Sequence, residues 1–384
     1  VEGLREIWRS ADDKSIGKKA GSELEPSCVE RASPARLGSR NAPRDGEYGM
    51  KRFLRRLFRT ETQSEVHTRP KTTGLRMQKF GHDLVRIESI GFFGHHAASP
   101  NGDFHLVWAD RNREGTVGGY RHEGHGSWSL LHGDEIVATG RLERPADGKT
   151  ANNGSFIIHD RLFGDGLKGR FVAFGADGAK LVEKELNANL ISNGLSDDGR
   201  IAICQTANAP GSDDSCRYIL FDLELGDEIA RWEVETGWAD GYEFDTTGRH
   251  VYLLRNNGGR VGYDFDGAML DRKGWQTERI GAGDLYVIRM VLASEEPMDR
   301  GMREALLAGL HVAAQGSERT LQAHALRLLG ELHEKEGAIQ EAVDAYEKAL
   351  SIDARIGVAR KLEKLRKSAL PRERGMREIG LDLS

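Results

Sequence analysis

Four polar turns ending in glycine divide the middle of this 384-residue chain into blocks of one design. The turns are Ser99-Pro100-Asn101-Gly102, Asn152-Asn153-Gly154, Ser196-Asp197-Asp198-Gly199 and Asp245-Thr246-Thr247-Gly248. After each come an apolar strand, a loop, a second apolar strand, a tight turn and a third stretch. In the first block these are Phe104 to Trp108, Ser127 to Leu131 and Ile136 to Leu142; in the second, Phe156 to Ile158, Arg170 to Phe174 and Leu181 to Leu186. The third has Ile201 to Cys204, Tyr218 to Leu223 and Ile229 to Val234, and the fourth has Val251 to Leu254, Val261 to Phe265 and Met269-Leu270. The repeated block is the main evidence for the fold of this region. The 47 glycines fit a turn-rich, β-rich chain.

The anchor glycines are 52, 45 and 49 residues apart, within the period of about 40–50 residues of a four-stranded propeller blade. With these turns, strands and the stretch Leu220-Phe221-Asp222-Leu223-Glu224-Leu225-Gly226, the region resembles the WD-repeat and related β-propeller families. The Trp-Asp pair is absent at the usual strand end, where Phe221-Asp222 and Tyr263-Asp264 stand. The resemblance implies a propeller-like domain of about four blades over residues 81–275. A ring closed by Leu84 to Phe93 as a displaced strand, an open arc capped by helices, and completion by a second chain all fit four copies. A β-sandwich of hairpins uses similar strands but seldom repeats a block of this length.

From Ala282 the apolar period changes to three and four, over Tyr286 to Leu292, Met302 to Ala313 and Leu321 to Glu336. Leu329-Gly330, Gly337, Ala342, Tyr346 and Ala349 then stand at the offsets of a helix-turn-helix repeat, and Val358, Leu362 and Leu365 begin a further helix. This stretch, Ala323 to Ile356, resembles a tetratricopeptide (TPR) repeat, departing at Ala354, where the family often has Pro. One unit alone is too few to stand by itself, so residues 283–369 are expected to form a TPR-like helical stack leaning on the β-domain. The resemblance implies a partner groove lined by the first helix of each unit: His324, Arg327, Glu331, Glu334 and Lys335, with Lys361 on the capping helix. The asparagines of a carboxylate clamp are missing and the charges are mixed, so the groove suits another helix or simple solvation.

Residues 1–49 mix Ser, Gly, Pro and both charges without an apolar period and read as a disordered extension, pattern starting only at Met50. Residues 50–80 read as a basic arm and linker, and 370–384 as a tail. Between Met50 and Arg59, Phe53, Leu54, Leu57 and Phe58 fall on one helical face and four arginines on the other. Such an arm is a foothold on an anionic membrane surface or on RNA, or a frayed end docking on its own acidic domain. The charge is segregated: residues 51–80 carry nine Lys/Arg against two Asp/Glu, net +7, and residues 81–275 carry 20 against 31, net −11. The acidic middle disfavours a nucleic-acid groove. No run approaches the roughly 18 apolar residues of a membrane span, and no signal-peptide h-region follows the basic start, so a cytoplasmic protein is expected.

Cys28, Cys204 and Cys216 are too few and scattered for a disulfide framework or a four-thiolate zinc site. Cys204 and Cys216 do flank a hairpin-like stretch and could face each other across two strands. Seven of the 13 histidines, at 82, 95, 96, 105, 122, 125 and 132, crowd the first block. His95-His96 and His122-x-x-His125, with Asp103 or Glu123, could supply a zinc site, but the spacing matches no established ligand signature. No nucleophile elbow, dinucleotide fingerprint or zincin helix is present. The glycine-rich Gly164 to Gly169 opens no helix and reads as an inter-strand loop. The sequence therefore predicts a non-catalytic protein-interaction scaffold or adaptor with protein partners and no cofactor. The alternatives are a hydrolase or metal-dependent enzyme at the histidine-rich first block, and a surface- or RNA-associated protein using residues 50–59.

Overall fold

The structure, a computed structural model, describes residues 75–369 apart from 113, 114, 116, 257, 258, 295 and 296. The extension, most of the basic arm and the tail lie outside the described residues. Seventeen strands are followed by six α-helices among the described residues.

All four sheets are antiparallel meanders with strands side by side in chain order. Sheet 1 holds β1 (Met77–Phe80), β2 (Leu84–Ile87), β3 (Phe92–Ala98), β4 (Phe104–Ala109), β5 (Gly126–His132) and β6 (Glu135–Leu142). Sheet 2 holds β7 (Pro145–Thr150), β8 (Phe156–Asp160), β9 (Gly169–Phe174) and β10 (Lys180–Leu186). Sheet 3 holds β11 (Leu190–Leu195), β12 (Ile201–Thr206), β13 (Arg217–Asp222) and β14 (Asp227–Glu233), and sheet 4 holds β15 (Gly241–Asp245), β16 (His250–Leu254) and β17 (Arg260–Asp264).

The sheets pack face to face in sequence, and the period-two alternation of each central strand says why. On β8, Phe156 and Ile158 enter a core with Leu106, Trp108, Trp128 and Leu130 of sheet 1, while Ile157 enters one with Ala202, Ile219 and Phe221 of sheet 3. On β12, Ile201 and Ile203 turn the other way, onto Val251, Leu253 and Tyr263 of sheet 4. Aromatic rings lock these layers: Trp128 lies 4.9 Å from Phe156, and Phe171 stacks on Phe221 at 4.4 Å with the planes 4° apart. First strands also meet in order, β7 touching β3 and β4, β11 touching β7, and β15 touching β11.

At one end of the sheets the anchor turns hold each other. The first three fold the same way, with a backbone bond from the glycine to the residue three before it at 2.9 to 3.0 Å for Gly102, Gly154 and Gly199, whereas the Gly248 N–H donates to Asp245 Oδ1 at 2.8 Å. Between turns, the Asn101 backbone N–H donates to Asn152 Oδ1 at 2.8 Å, and the Asn152 N–H to the Asp197 carbonyl at 2.9 Å. Thr246 Oγ1 closes the relay by donating to Asp198 Oδ2 at 3.1 Å. Gly199 is required twice over: its φ is +70°, and a Cβ there would sit 2.3 Å from Asn153 Oδ1.

Several expectations need correction. Leu84 to Phe93 does not close a ring as a displaced strand: β2 and the start of β3 pair with each other inside sheet 1. Met269-Leu270 forms no strand; Met269 makes an isolated bridge to Tyr263, so sheet 4 has three strands among the described residues. Cys204 is a buried free thiol and does not bond to Cys216.

The helices are α1 (Arg272–Gly281), α2 (Leu285–Ala293), α3 (Arg300–Ala314), α4 (Arg319–Lys335), α5 (Ile339–Ile352) and α6 (Ala359–Ala369). Asp271, Asp284 and Asp299 cap the first three, each accepting a backbone N–H of the first turn. Helix α1 begins before the change of apolar period, and its Trp275 packs against both the sheet 4 core and the core of the helical stack. That stack buries Leu306, Leu310, Leu328, Leu329 and Leu332 together. Gly330 lies where α4 meets α5, and a Cβ there would fall 2.4 Å from the ring of the fully buried Tyr346.

Two measurements test these contacts. Burial works against ionisation of Asp198, but hydrogen bonds from Ser196, the Arg200 N–H and Thr246 outweigh it and hold the carboxyl below its ordinary range. A depressed native pKa contributes stability above the unfolded value of about 3.9 that is lost as pH falls through the native one. Asp198→Asn should cost about 1 kcal/mol in urea unfolding at neutral pH, and the gap should close below about pH 4. Gly330→Ala gains about 1 kcal/mol of helix propensity, but the clash with Tyr346 dominates: a lower melting temperature is expected, and a higher one would refute the close packing.

Candidate functional site

The residues that the helical resemblance singled out form a stripe along α4 and its neighbours. Leu321, His324, Arg327, Glu331 and then Glu334 or Lys335 recur at three and four spacing, so all of these turn toward one side of the helix. The opposite side is buried: Ala323, Ala325, Leu329, Gly330 and Leu332 pack into the stack.

Four of the six residues come together with α5 and α6. Arg327 Nε donates to Glu331 at 3.0 Å and Arg327 Nη1 to the Ile356 carbonyl at 3.3 Å. Lys361 of α6 approaches Glu334 to 2.9 Å and lies 5.5 Å above the Tyr346 ring. The Tyr346 hydroxyl donates to Glu334 Oε2 at 3.0 Å. Partial burial opposes ionisation of Glu334, yet the hydrogen bonds from Lys361 and Tyr346 prevail and hold its carboxyl below the usual glutamate range. Lys335 instead reaches back to the Leu292 carbonyl at the end of α2, and His324 stays exposed on α4. The stripe thus joins α2, α4 and α6, and its charges brace helices as well as facing outward. At its start, Leu321 keeps 47% of its surface exposed.

The histidines of the first block do not converge. His95 stacks on Trp108 at 5.7 Å, His132 on Phe104 at 4.5 Å, His122 meets Tyr120 edge-on, and His125 meets Phe163. His96 and His105 stack on each other at 5.8 Å, and burial followed by the nearby Lys79 lowers both pKa values. Among the described residues no three His, Cys, Asp or Glu side chains form a metal-ligand group.

Sequence reasoning missed a second feature, at the end of the sheets opposite the anchor turns. There four connections meet: β4–β5, β6–β7, β8–β9 and β10–β11. They enclose a cavity of about 480 Å³ whose lining includes Tyr120, Arg144, His159, Arg161 and Lys168. Spacing could not reveal it, because its residues come from four separate connections. One local signal existed: His159-Asp160 ends a strand that is otherwise fully apolar.

No family model and no curated protein matches the chain. Among solved structures, one similar chain is the C-terminal WD40 domain of Sif2, at 11% sequence identity and TM-score 0.30; the likeness covers 47% of this chain and 50% of that one. The match therefore spans about half the length of the solved chain. No helix of the described residues is long and apolar enough to cross a membrane.

Proposed function

We propose that this chain is a non-catalytic scaffold or adaptor that binds protein partners, with the α2–α4–α6 side of its TPR-like helices as one docking surface. The observation that carries this reading is the α4 stripe. An exposed leucine at its head, exposed His324 and mixed charges along its length offer an apolar anchor and a polar register to a helix of complementary charge. The bracing of Arg327, Glu331, Glu334 and Lys361 limits the side-chain entropy lost on binding, because these groups are already held in one arrangement. The propeller-like sheets supply a second, separate surface, and two surfaces on one chain let it bridge partners with the gain expected of linked sites. The histidine geometry favours neither a metal centre nor a hydrolytic one, and residues 50–59 lie outside the described residues.

The test compares the full chain with Leu321→Asp and Glu331→Lys as bait in the native lysate. A defined protein retained by the unmodified chain and lost or weakened about tenfold or more by the variants is expected, the effect of altering one interface hot spot. Equal capture by all three baits would remove this surface from the proposal. Far-UV circular dichroism confirms that the variants keep their helices, since both positions lie outside the buried side of α4.

A further inference from the structure

Sheet 1 is two strands wider than sheet 2, and the extra width ends in an open edge. Sheet 2 covers it through β7, which packs on β3 and β4, so β1 and β2 reach past the first strand of sheet 2. Strand β1 pairs with β2 alone among the described residues, leaving alternate N–H and C=O groups of Met77–Phe80 turned outward. An unpaired edge of this kind is a template for one more strand.

The register shows what that strand would meet. Gln78, Arg86 and Phe93 lie directly opposite one another on β1, β2 and β3, as do Phe80, Leu84 and His95, so both rows share one face. On the opposite face Val85 and Ile87 are fully buried. On the first face Phe80 and Phe93 keep 39% and 38% of their surface exposed and meet edge to face with centroids 6.0 Å apart. The Arg86 guanidinium lies over both rings, 5.6 and 5.8 Å from their centroids, and no carboxylate pairs with it among the described residues.

Charge selects the kind of strand. Strands β1 and β2 carry Lys79 and Arg86 and no carboxylate, Arg76 precedes them, and the charge of Asp83 in their turn acts on His96. The last strands of the four sheets, β6, β10, β14 and β17, each carry a carboxylate, and residues 81–275 hold 20 Lys/Arg against 31 Asp/Glu. Strand β1 is therefore the edge that does not repel an acidic strand. A second copy pairing there edge to edge would set Arg76 and Lys79 against like charges.

We propose that β1 is a docking edge for an extended acidic segment of a partner protein, which adds as a strand and sets a carboxylate on Arg86 and an apolar side chain on Phe80 and Phe93. The backbone ladder supplies affinity, and the side chains on this face supply the choice of sequence. Arg86 stands two strand spacings from the added strand, about 9–10 Å, a gap that a glutamate and an arginine span together. Its planar fork, already held over two rings, meets the carboxylate with little entropy left to lose. This deepens the scaffold reading by naming the partner of its sheets, and rests on that reading only in taking the ligand to be a protein.

The experiment pans a random-peptide display library against the full chain and titrates the synthetic consensus peptide by fluorescence anisotropy. A consensus alternating apolar residues with a glutamate or aspartate is expected, and its binding should slow amide hydrogen exchange at Met77–Phe80. Arg86→Gln should weaken it about tenfold or more, the loss of one charge-assisted hydrogen bond, and Arg86→Glu should select basic peptides instead. Both changes fall at an exposed position and leave the buried face of β2 intact. No enriched peptide, a consensus without acidic residues, binding indifferent to Arg86, or unchanged exchange at β1 would each overturn the proposal. So would a dimer of the full chain that protects β1, since a second copy would then hold the edge. Capture by the α4 surface is read with its own variants, so either reading can fail while the other stands.

Discussion

The central strands of sheets 2 and 3 have no polar face, and the rest of the β-region follows from that. Every residue of β8 and of β12 is buried. A strand presents alternate residues to opposite sides, so such a strand needs apolar cover on both, and a single sheet leaves one side wet. Stacking sheet on sheet is the arrangement that serves both sides at once, and the Phe171–Phe221 and Trp128–Phe156 contacts are where it is realised. The same logic explains sheet 4: β16 alternates buried and half-buried residues, as expected of the last sheet in the row. Fully burying one large apolar side chain is worth about 1.5–3 kcal/mol, whereas a turn-to-turn hydrogen bond such as Asn101–Asn152 nets about 1 kcal/mol. The cores therefore set the stacking, and the turn relay sets its register.

How much of this was legible follows from which residues do the work. The second and third strands of each block stood out because their burial on both faces writes an apolar run into the sequence. The first strands did not. Strand β7 reads Pro-Ala-Asp-Gly-Lys-Thr and β11 reads Leu-Ile-Ser-Asn-Gly-Leu, mixtures that propensity assigns to loops. They are strands because their neighbours supply the ladder, and their polar side chains serve contacts between sheets: Asn193 donates to the Asp147 carbonyl at 2.9 Å and Ser192 meets the Tyr242 hydroxyl at 2.7 Å. Helix α1 was hidden for a related reason. Gly274 and a run of charges dilute its period, and what holds it is the Asp271 cap and one tryptophan wedged between two cores.

The helical region shows the opposite balance. Its small and aromatic positions, Gly330, Ala342, Tyr346 and Ala349, are all buried, because two helices can approach closely only where side chains are absent or flat. Spacing alone puts five of the residues assigned to the groove on one side of α4, but spacing could not show their partners. Arg327 with Ile356, Lys335 with Leu292 and Lys361 with Glu334 are contacts between helices, invisible until the helices are assembled. A charged stripe on stacked helices thus braces its neighbours as well as facing outward. Exposed ion pairs contribute about 0–1 kcal/mol, so the buried side of α4, rather than these charges, holds the stack together.

The two ends of the sheets differ in how their polar groups are satisfied. At the anchor end the turns are short, rich in Asp and Asn, and satisfied by each other, so that a ligand would have to displace bonds already made. At the other end the β4–β5 and β8–β9 connections are long, β6–β7 and β10–β11 short, and together they bring in side chains the strands do not need. His159 and Arg144 keep unmet donors or acceptors there, at full desolvation cost, which packing alone would have removed by substitution with apolar residues. Stability opposes such groups, and they stand at both ends of the sheets: Arg200 Nε, beside the third anchor turn, also lacks a hydrogen-bond partner.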